Sequence, residues 1–258
     1  MRALATISLL LLLLPSAARA QDPATEPTLL GAGGRSRPVY TGSASQYQEP
    51  VPVVRYYGPV LFVRDTRGPL EGGVHVEILP GVSAGLQLAY EEGRRTNESS
   101  FLIQHHLPNI GAGASYGAQL EWNVYLGPSP INLILRARQH LKAAEGAQAD
   151  LRLSAGVLKA GPFSAAVVGQ ETWANAQSNR SMYGITGQEA TISGLPVYNP
   201  GGGLVSNMFG LLWSLDLARH WLLVGNLEGY RLHEDAAQSP LAERRWNVEA
   251  VVGGAYRF

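Results

Sequence analysis

From Asn109 to Phe258 the chain alternates apolar and polar side chains with a period of two. In the run Gly113–Leu126, one face carries Ala114, Tyr116, Ala118, Leu120, Trp122, Val124 and Leu126. The other carries Ser115, Gly117, Gln119, Glu121 and Asn123. Successive side chains of a β-strand point to opposite faces, so this spacing predicts a strand with one face in an apolar medium. The runs 131–141 and 147–158 repeat the alternation. Further strands are expected at 72–79, 82–91, 163–173, 207–217, 221–233 and 245–258, with shorter ones at 27–35, 49–57 and 60–65. In 221–233 neither parity separates apolar from polar residues, and its faces stay unassigned.

About twelve strands result, most near the 9–11 residues that a tilted strand needs to cross a bilayer. The connectors sort by length. Tight turns fall at 57–59, 79–81, 126–130, 159–162 and 217–220, and long polar connectors near 36–48, 92–109, 174–203 and 234–244. With the first strand starting on the periplasmic side, every tight turn lies on that side and every long loop outside; only 66–69 and 142–146 are short outer connectors. That asymmetry belongs to outer-membrane barrels. The same threading places Tyr56, Tyr57, Trp122, Tyr125, Phe163, Trp221, Tyr256 and Phe258 at the periplasmic edge. Tyr90, Tyr116, Trp173, Phe209, Tyr230 and Trp246 gather at the outer edge, forming the second of two aromatic girdles. Trp213 fits neither. The fold expected is an all-β, transmembrane antiparallel barrel, closed because an open edge in hydrocarbon leaves backbone groups unbonded.

Charge then decides which face is which. A lipid-facing Arg or Lys at the bilayer midplane costs about 2–4 kcal/mol. Glu121, Arg136, Arg138, Asp150, Arg152 and Glu249 are therefore expected in the lumen, with Leu120, Leu133, Leu151 and Val248 toward lipid. Both signs occur on neighbouring strands, which suits inward ion pairs. In the last strand every second residue from Trp246 to Phe258 shares one parity. An aromatic pair, Tyr256 and Phe258, at that end is similar to the signal read by the bacterial barrel-assembly machinery.

The N-terminal run adds the compartment. Arg2, the apolar stretch 3–14 and the small residues Ala18-Arg19-Ala20 read as a secretory signal peptide (residues 1–20) cleaved after Ala20, leaving 21–258 as one barrel domain. Pro15 ends the apolar run short of a membrane helix. The full chain balances 20 basic against 20 acidic residues. Losing Arg2 and Arg19 leaves 18 against 20, and nothing calls for nucleic acid. The absence of cysteine rules out disulfides, thiolate metal sites and a lipidated Cys.

No motif compels catalysis or a cofactor. The run 199–204 is glycine-rich but lacks the Lys-Ser/Thr of a phosphate loop, and 111–117 lies inside an alternating strand. His105 and His106 are adjacent and diverge in an extended chain, a poor chelate. His140 lies near an outer strand end with no assignable Ser partner, so no nucleophile–base set emerges.

Four stretches together resemble one family. They are 31–43 with Pro38-x-Tyr40-x-Gly42-Ser43, 183–204 with Ser193-Gly194-Leu195-Pro196-x-Tyr198, 239–245, and the closing 253–258. The chain is similar in these to the MipA/OmpV family. The resemblance implies a modest outer-membrane barrel and no catalytic residues. It also implies a scaffold that brings a lytic transglycosylase together with a penicillin-binding protein during peptidoglycan growth. Two other roles stay open: a narrow passive pore for small solutes, and a rim lipid hydrolase using His140 or His105.

Overall fold

The computed structural model describes residues 18–20, 27–65 and 70–258, with backbone alone for 18–20. Thirteen strands occur in chain order: β1 Ala18–Ala20, β2 Leu29–Pro38, β3 Gln46–Tyr57, β4 Leu61–Arg64, β5 Glu71–Leu79, β6 Val82–Glu91 and β7 Gly113–Leu126. They continue with β8 Ser129–His140, β9 Ala147–Ala160, β10 Phe163–Ala174, β11 Gly203–Asp216, β12 Trp221–Leu232 and β13 Trp246–Arg257. β2 to β13 pair antiparallel in sequence order, and the β13–β2 pairing closes the ring into a twelve-stranded barrel. β1 pairs with the inner end of β7, Ala18 opposite Leu126. Most of the expected leader, the segment 21–26 and the connector 66–69 lie outside the described residues.

Closure follows from the alternation. Along β13, Trp246, Val248 and Val252 are exposed while Asn247, Glu249 and Ala255 are buried. Along β6 and β9 the exposed set is Leu86 and Leu88, then Leu151 and Leu153. A closed exterior of exposed Leu, Val and aromatic side chains suits hydrocarbon rather than water, and the molecule is an outer-membrane barrel. No helix among the described residues is long and apolar enough to cross a membrane.

The aromatic girdles are real but smaller than parity-blind reading gave. Tyr57 is not in the inner girdle: it follows the outward Tyr56 and so points inward, its hydroxyl donating to Glu121 at 3.2 Å. Tyr230 is buried and donates to Glu228 at 2.5 Å. Trp213 stays mid-belt because Gly225 on β12 leaves room for its indole; a Cβ there would sit 2.4 Å from the ring. β12 hid its faces from sequence because part of the interior is itself apolar. Leu222 turns inward with Leu29, Val53 and Ala255 into a small apolar cluster, so no polar stripe marks the inner side.

The long outer connectors are not plain loops. They carry α1 Ser100–Gln104, α2 Ala176–Tyr183, α3 Gly187–Ser193 and α4 Glu234–Gln238. Local signals start and stop them. The Asn175 side chain accepts from the Ser178 amide at the start of α2. Thr186 and Glu189 form a capping box on α3, and Gly194 ends it with φ 72°.

Candidate functional site

The outer helices and loops fold together over the barrel mouth. Val39 and Tyr40 from the β2–β3 connector, Leu102 and Leu107 from the β6–β7 connector, Ile185 from β10–β11 and Leu241 from β12–β13 form one buried apolar cluster. Tyr40 donates to the Leu241 carbonyl at 2.9 Å, and Tyr183 to the Thr41 carbonyl at 3.2 Å. Ser239 donates to the Tyr183 carbonyl at 2.7 Å. Asn247 of β13 ties the cap to the wall, accepting from Gly42 N at 2.6 Å and donating to the Ser43 carbonyl at 2.7 Å. Gly42, with φ 109°, occupies a conformation that a side chain would strain. Burial lifts the Tyr40 phenol well above the usual tyrosine range, with the Glu243 carboxylate adding to the shift. Burial also pulls the Arg94 guanidinium down; it donates to the Met182 carbonyl at 2.7 Å and stacks over Tyr40.

The stretch 193–198 is part of this cap. The Leu195 amide donates to Ser193 Oγ at 3.2 Å, Gly194 makes the left-handed turn, and Leu195 and Tyr198 pack against the cluster. Pro196 is exposed, while Tyr198 bridges to Ile185 and donates to the Asp235 carbonyl at 2.7 Å. Burial, then Asp235, raises the Tyr198 phenol. Stretches 31–43, 183–204 and 239–245, far apart in the chain, thus meet in one small core.

Beneath the cap, ionised side chains fill the midsection. Arg136 and Asp150 are 1% and 0% exposed and 2.7 Å apart. Arg136 also reaches Glu71 at 3.0 Å, and Asp150 also reaches Arg138 at 3.4 Å. Glu71 pairs with Arg64 at 2.7 Å, Arg64 with Glu121 at 2.9 Å and Arg138 with Glu91 at 3.0 Å. The result is one chain of alternating sign, Glu121–Arg64–Glu71–Arg136–Asp150–Arg138–Glu91, drawn from six strands, β4 to β9. Arg152 pairs with Glu228 at 3.3 Å. Glu249 belongs to a second group: it holds Arg35 at 2.9 Å, Arg35 also meets Glu92, and Arg37 meets Glu49 at 2.7 Å. Pairing of this density offsets the desolvation that a lone buried charge would suffer.

Glu121, Arg136, Arg138, Asp150, Arg152 and Glu249, expected in the lumen from their charge, are all buried; three belong to the alternating chain's Asp150 end, and Glu121 closes its other end. Arg35, Arg37, Glu49, Arg64, Glu71 and Glu228 join them from outside that expected set. Glu71 was readable, since Val74, Val76 and Ile78 of β5 face out on the opposite parity. Arg64 was not, because a strand of four residues shows too little period.

Two cavities flank the charged midsection. One of about 180 Å³ lies under the cap. The other, about 820 Å³, occupies the inner end, with Arg55, Arg64 and Arg152 above and Pro128 and Lys159 of the tight turns at its mouth. The histidines form no catalytic set. His140 lies 3.4 Å from Glu145, and its cross-strand neighbour Ser115 donates instead to Glu91 at 2.6 Å. His105 bonds the Ser193 carbonyl at 2.8 Å, and His106 takes the left-handed conformation. At the inner rim Tyr256 stacks on His220 and meets Trp221 and Phe258 edge-on; Phe258 is 69% exposed. No His/Cys/Asp/Glu group fit to hold a metal occurs among the described residues.

Comparison with known proteins agrees with this architecture. The family described as MltA-interacting protein MipA matches residues 30–258. Among solved structures, the COG4313 outer membrane channel from Pseudomonas putida F1 superposes with a TM-score of 0.53 at 10% identity, over 95% of this chain and all of that one. OmpT of Vibrio cholerae gives 0.38 at 8% identity, over 81% of this chain and 64% of that one. At 10% identity the channel speaks to the fold alone. No curated protein sequence matches the chain.

Proposed function

Because the chain belongs to the MipA family of outer-membrane barrels, we propose that it is a non-enzymatic scaffold docking peptidoglycan-remodelling enzymes at its periplasmic end. The enzymes are a lytic transglycosylase and, joined through the same platform, a penicillin-binding protein. The observation that carries this reading is the asymmetry of the barrel. Its outer mouth lies under a folded cap, its midsection is packed with ion pairs, and its large concavity opens toward the tight turns. A stable interface buries about 800 Å² per partner, more than a ring of turns of two to four residues alone supplies. The inner vestibule of about 820 Å³ adds concave area to that ring, with Arg55 and Lys159 at hand for an acidic segment.

A photo-crosslinking residue at Pro128 or Lys159 tests the proposal, with Ile192 on the cap as the control. Adducts to a murein enzyme are expected from the two inner positions and not from Ile192. Assembled barrels that give no murein-enzyme adduct at either inner position would overturn the scaffold. The passive-pore reading is the weaker, since a solute would have to cross both the cap and the alternating charge chain.

A further inference from the structure

On the outside of β12 the outward parity runs Leu227, Gly229, Arg231, while Glu228 and Tyr230 turn into the barrel. Arg231 is exposed and lies opposite Trp246 of β13, its guanidinium carbon 5.5 Å from the centre of the indole. Trp246 is exposed too and belongs to the outer girdle, so both side chains stand at the level of the lipid headgroups. Arg244 and Arg245, also exposed, lead directly into Trp246. Their backbone is fixed: the Arg244 amide donates to the Gly42 carbonyl and the Arg245 carbonyl accepts from the Leu232 amide, both at 2.9 Å.

Three cations thus meet the membrane boundary together. None of them forms an ion pair with a carboxylate among the described residues. The acids nearest in sequence are held by backbone amides. Glu234 accepts from Leu204 at 3.0 Å, Asp235 from Gly201 at 2.6 Å and Glu243 from Ala44 at 3.0 Å. On β11, Asn207 faces Arg231 and donates to Glu171 of β10 at 3.4 Å, which leaves that acid two strands away. In the lumen, by contrast, Arg136 has carboxylates on both sides. A guanidinium fork matches phosphate geometry, and basic clusters at a membrane surface attract anionic headgroups.

Directly below Arg231 the outer surface has a notch. Gly229 carries no side chain, and its cross-strand neighbours are the exposed Phe209 on β11 and Val248 on β13. The Phe209 ring leans the other way, over Gly169 of β10, 3.6 Å from where a Cβ there would lie. A Cβ on Gly229 would meet only the Phe209 carbonyl, at 3.8 Å, so the floor of the notch is open. Its walls stand two strand spacings apart, roughly 9.6 Å between backbones. That leaves room for one acyl chain between the side chains, with Leu227 beneath and charge only at the top.

We propose that this face binds one phosphate-bearing lipid of the outer leaflet, its phosphate held by Arg231, Arg244 and Arg245 and one acyl chain lying in the Gly229 notch. Three unpaired cations disfavour a zwitterionic head, whose ammonium they repel. The apolar notch beneath them favours a lipid over a free anion.

Native mass spectrometry of the refolded barrel in detergent, titrated with lipid A, tests the site. One lipid A per barrel should be retained, and roughly fivefold less tightly for each arginine removed in Arg231→Gln and in Arg231→Gln/Arg244→Gln. Arg180→Gln, which removes an exposed cation of α2, should bind as the parent does. Dephosphorylated lipid A and phosphatidylethanolamine should not be retained, and excess inorganic phosphate should not displace lipid A. Gly229→Leu, which fills the notch, should weaken binding while heat-modifiable migration stays that of an intact barrel. Undiminished binding by Arg231→Gln/Arg244→Gln, a comparable loss in Arg180→Gln, or equal retention of dephosphorylated lipid A overturns the phosphate site. Displacement by inorganic phosphate overturns the lipid as its ligand, and parent-like binding by Gly229→Leu overturns the acyl seat.

Discussion

The phenol of Tyr40 donates to the carbonyl of Leu241 at 2.9 Å, joining the first outer connector to the last above the β2–β13 seam. Both side chains are buried, and they share one cluster with Leu102 and Ile185. The cap is thus a separate small core seated on the barrel, stabilised by its own burial.

Leu241→Ala should open the cap without unfolding the barrel. Truncating a fully buried leucine costs about 2–5 kcal/mol, more than so small a core can spare. Surface protease on whole cells is expected to cut the outer loops of the variant and not of the parent. Heat-modifiable migration on gels, which reports the barrel, should not change.

Cap stability should fall in alkali through Tyr40. Its folded pKa lies above the unfolded value near 10, so its contribution is complete below pH ~10 and is lost as pH rises toward the folded value. Loop proteolysis of purified barrel should therefore accelerate above pH 10, and Tyr40→Phe should flatten that dependence.

Asp150→Asn should destabilise the barrel itself. The carboxylate is held by both Arg136 and Arg138, and neutralising it leaves buried guanidinium charge with one partner fewer. Breaking a buried pair from one side costs about 3–5 kcal/mol. Urea unfolding in vesicles, followed by tryptophan emission, measures the loss. Surface pairs such as Arg95–Glu98 should contribute under about 1 kcal/mol.

Planar bilayers should register no steady conductance from the intact barrel. Trimming 187–197 alone should leave it silent too, because the Glu121–Glu91 charge chain still fills the midsection. The trimmed barrel should conduct only when Arg64 and Arg136 are also replaced by alanine.

Phe258→Ala should lower the amount of barrel assembled in cells severalfold while changing refolded stability little, since the ring is mostly exposed and touches chiefly Tyr256. Comparing membrane levels in cells with refolding yield in vitro separates a role in assembly from one in packing.

Local pattern was enough for much of the wall. The alternation in Gly113–Leu126 gave a strand, its faces and the burial of Glu121, because a period of two is written in neighbouring residues. Tight turns such as 159–162 against the connector at 174–203 showed which end bears the long connectors, for the same reason. Where the inside is apolar, as at Leu222, or the strand is short, as at Arg64, the pattern carried no such information.

By itself, then, the sequence determined that strands form, which parity meets lipid and which end bears the loops, all properties of residues one or two apart. The tertiary structure alone decided that Arg136 falls between Glu71 and Asp150 and that four connectors share one core. Those depend on strand stagger around a closed ring and on contacts between residues as distant as Tyr40 and Leu241, where no local periodicity records the partner.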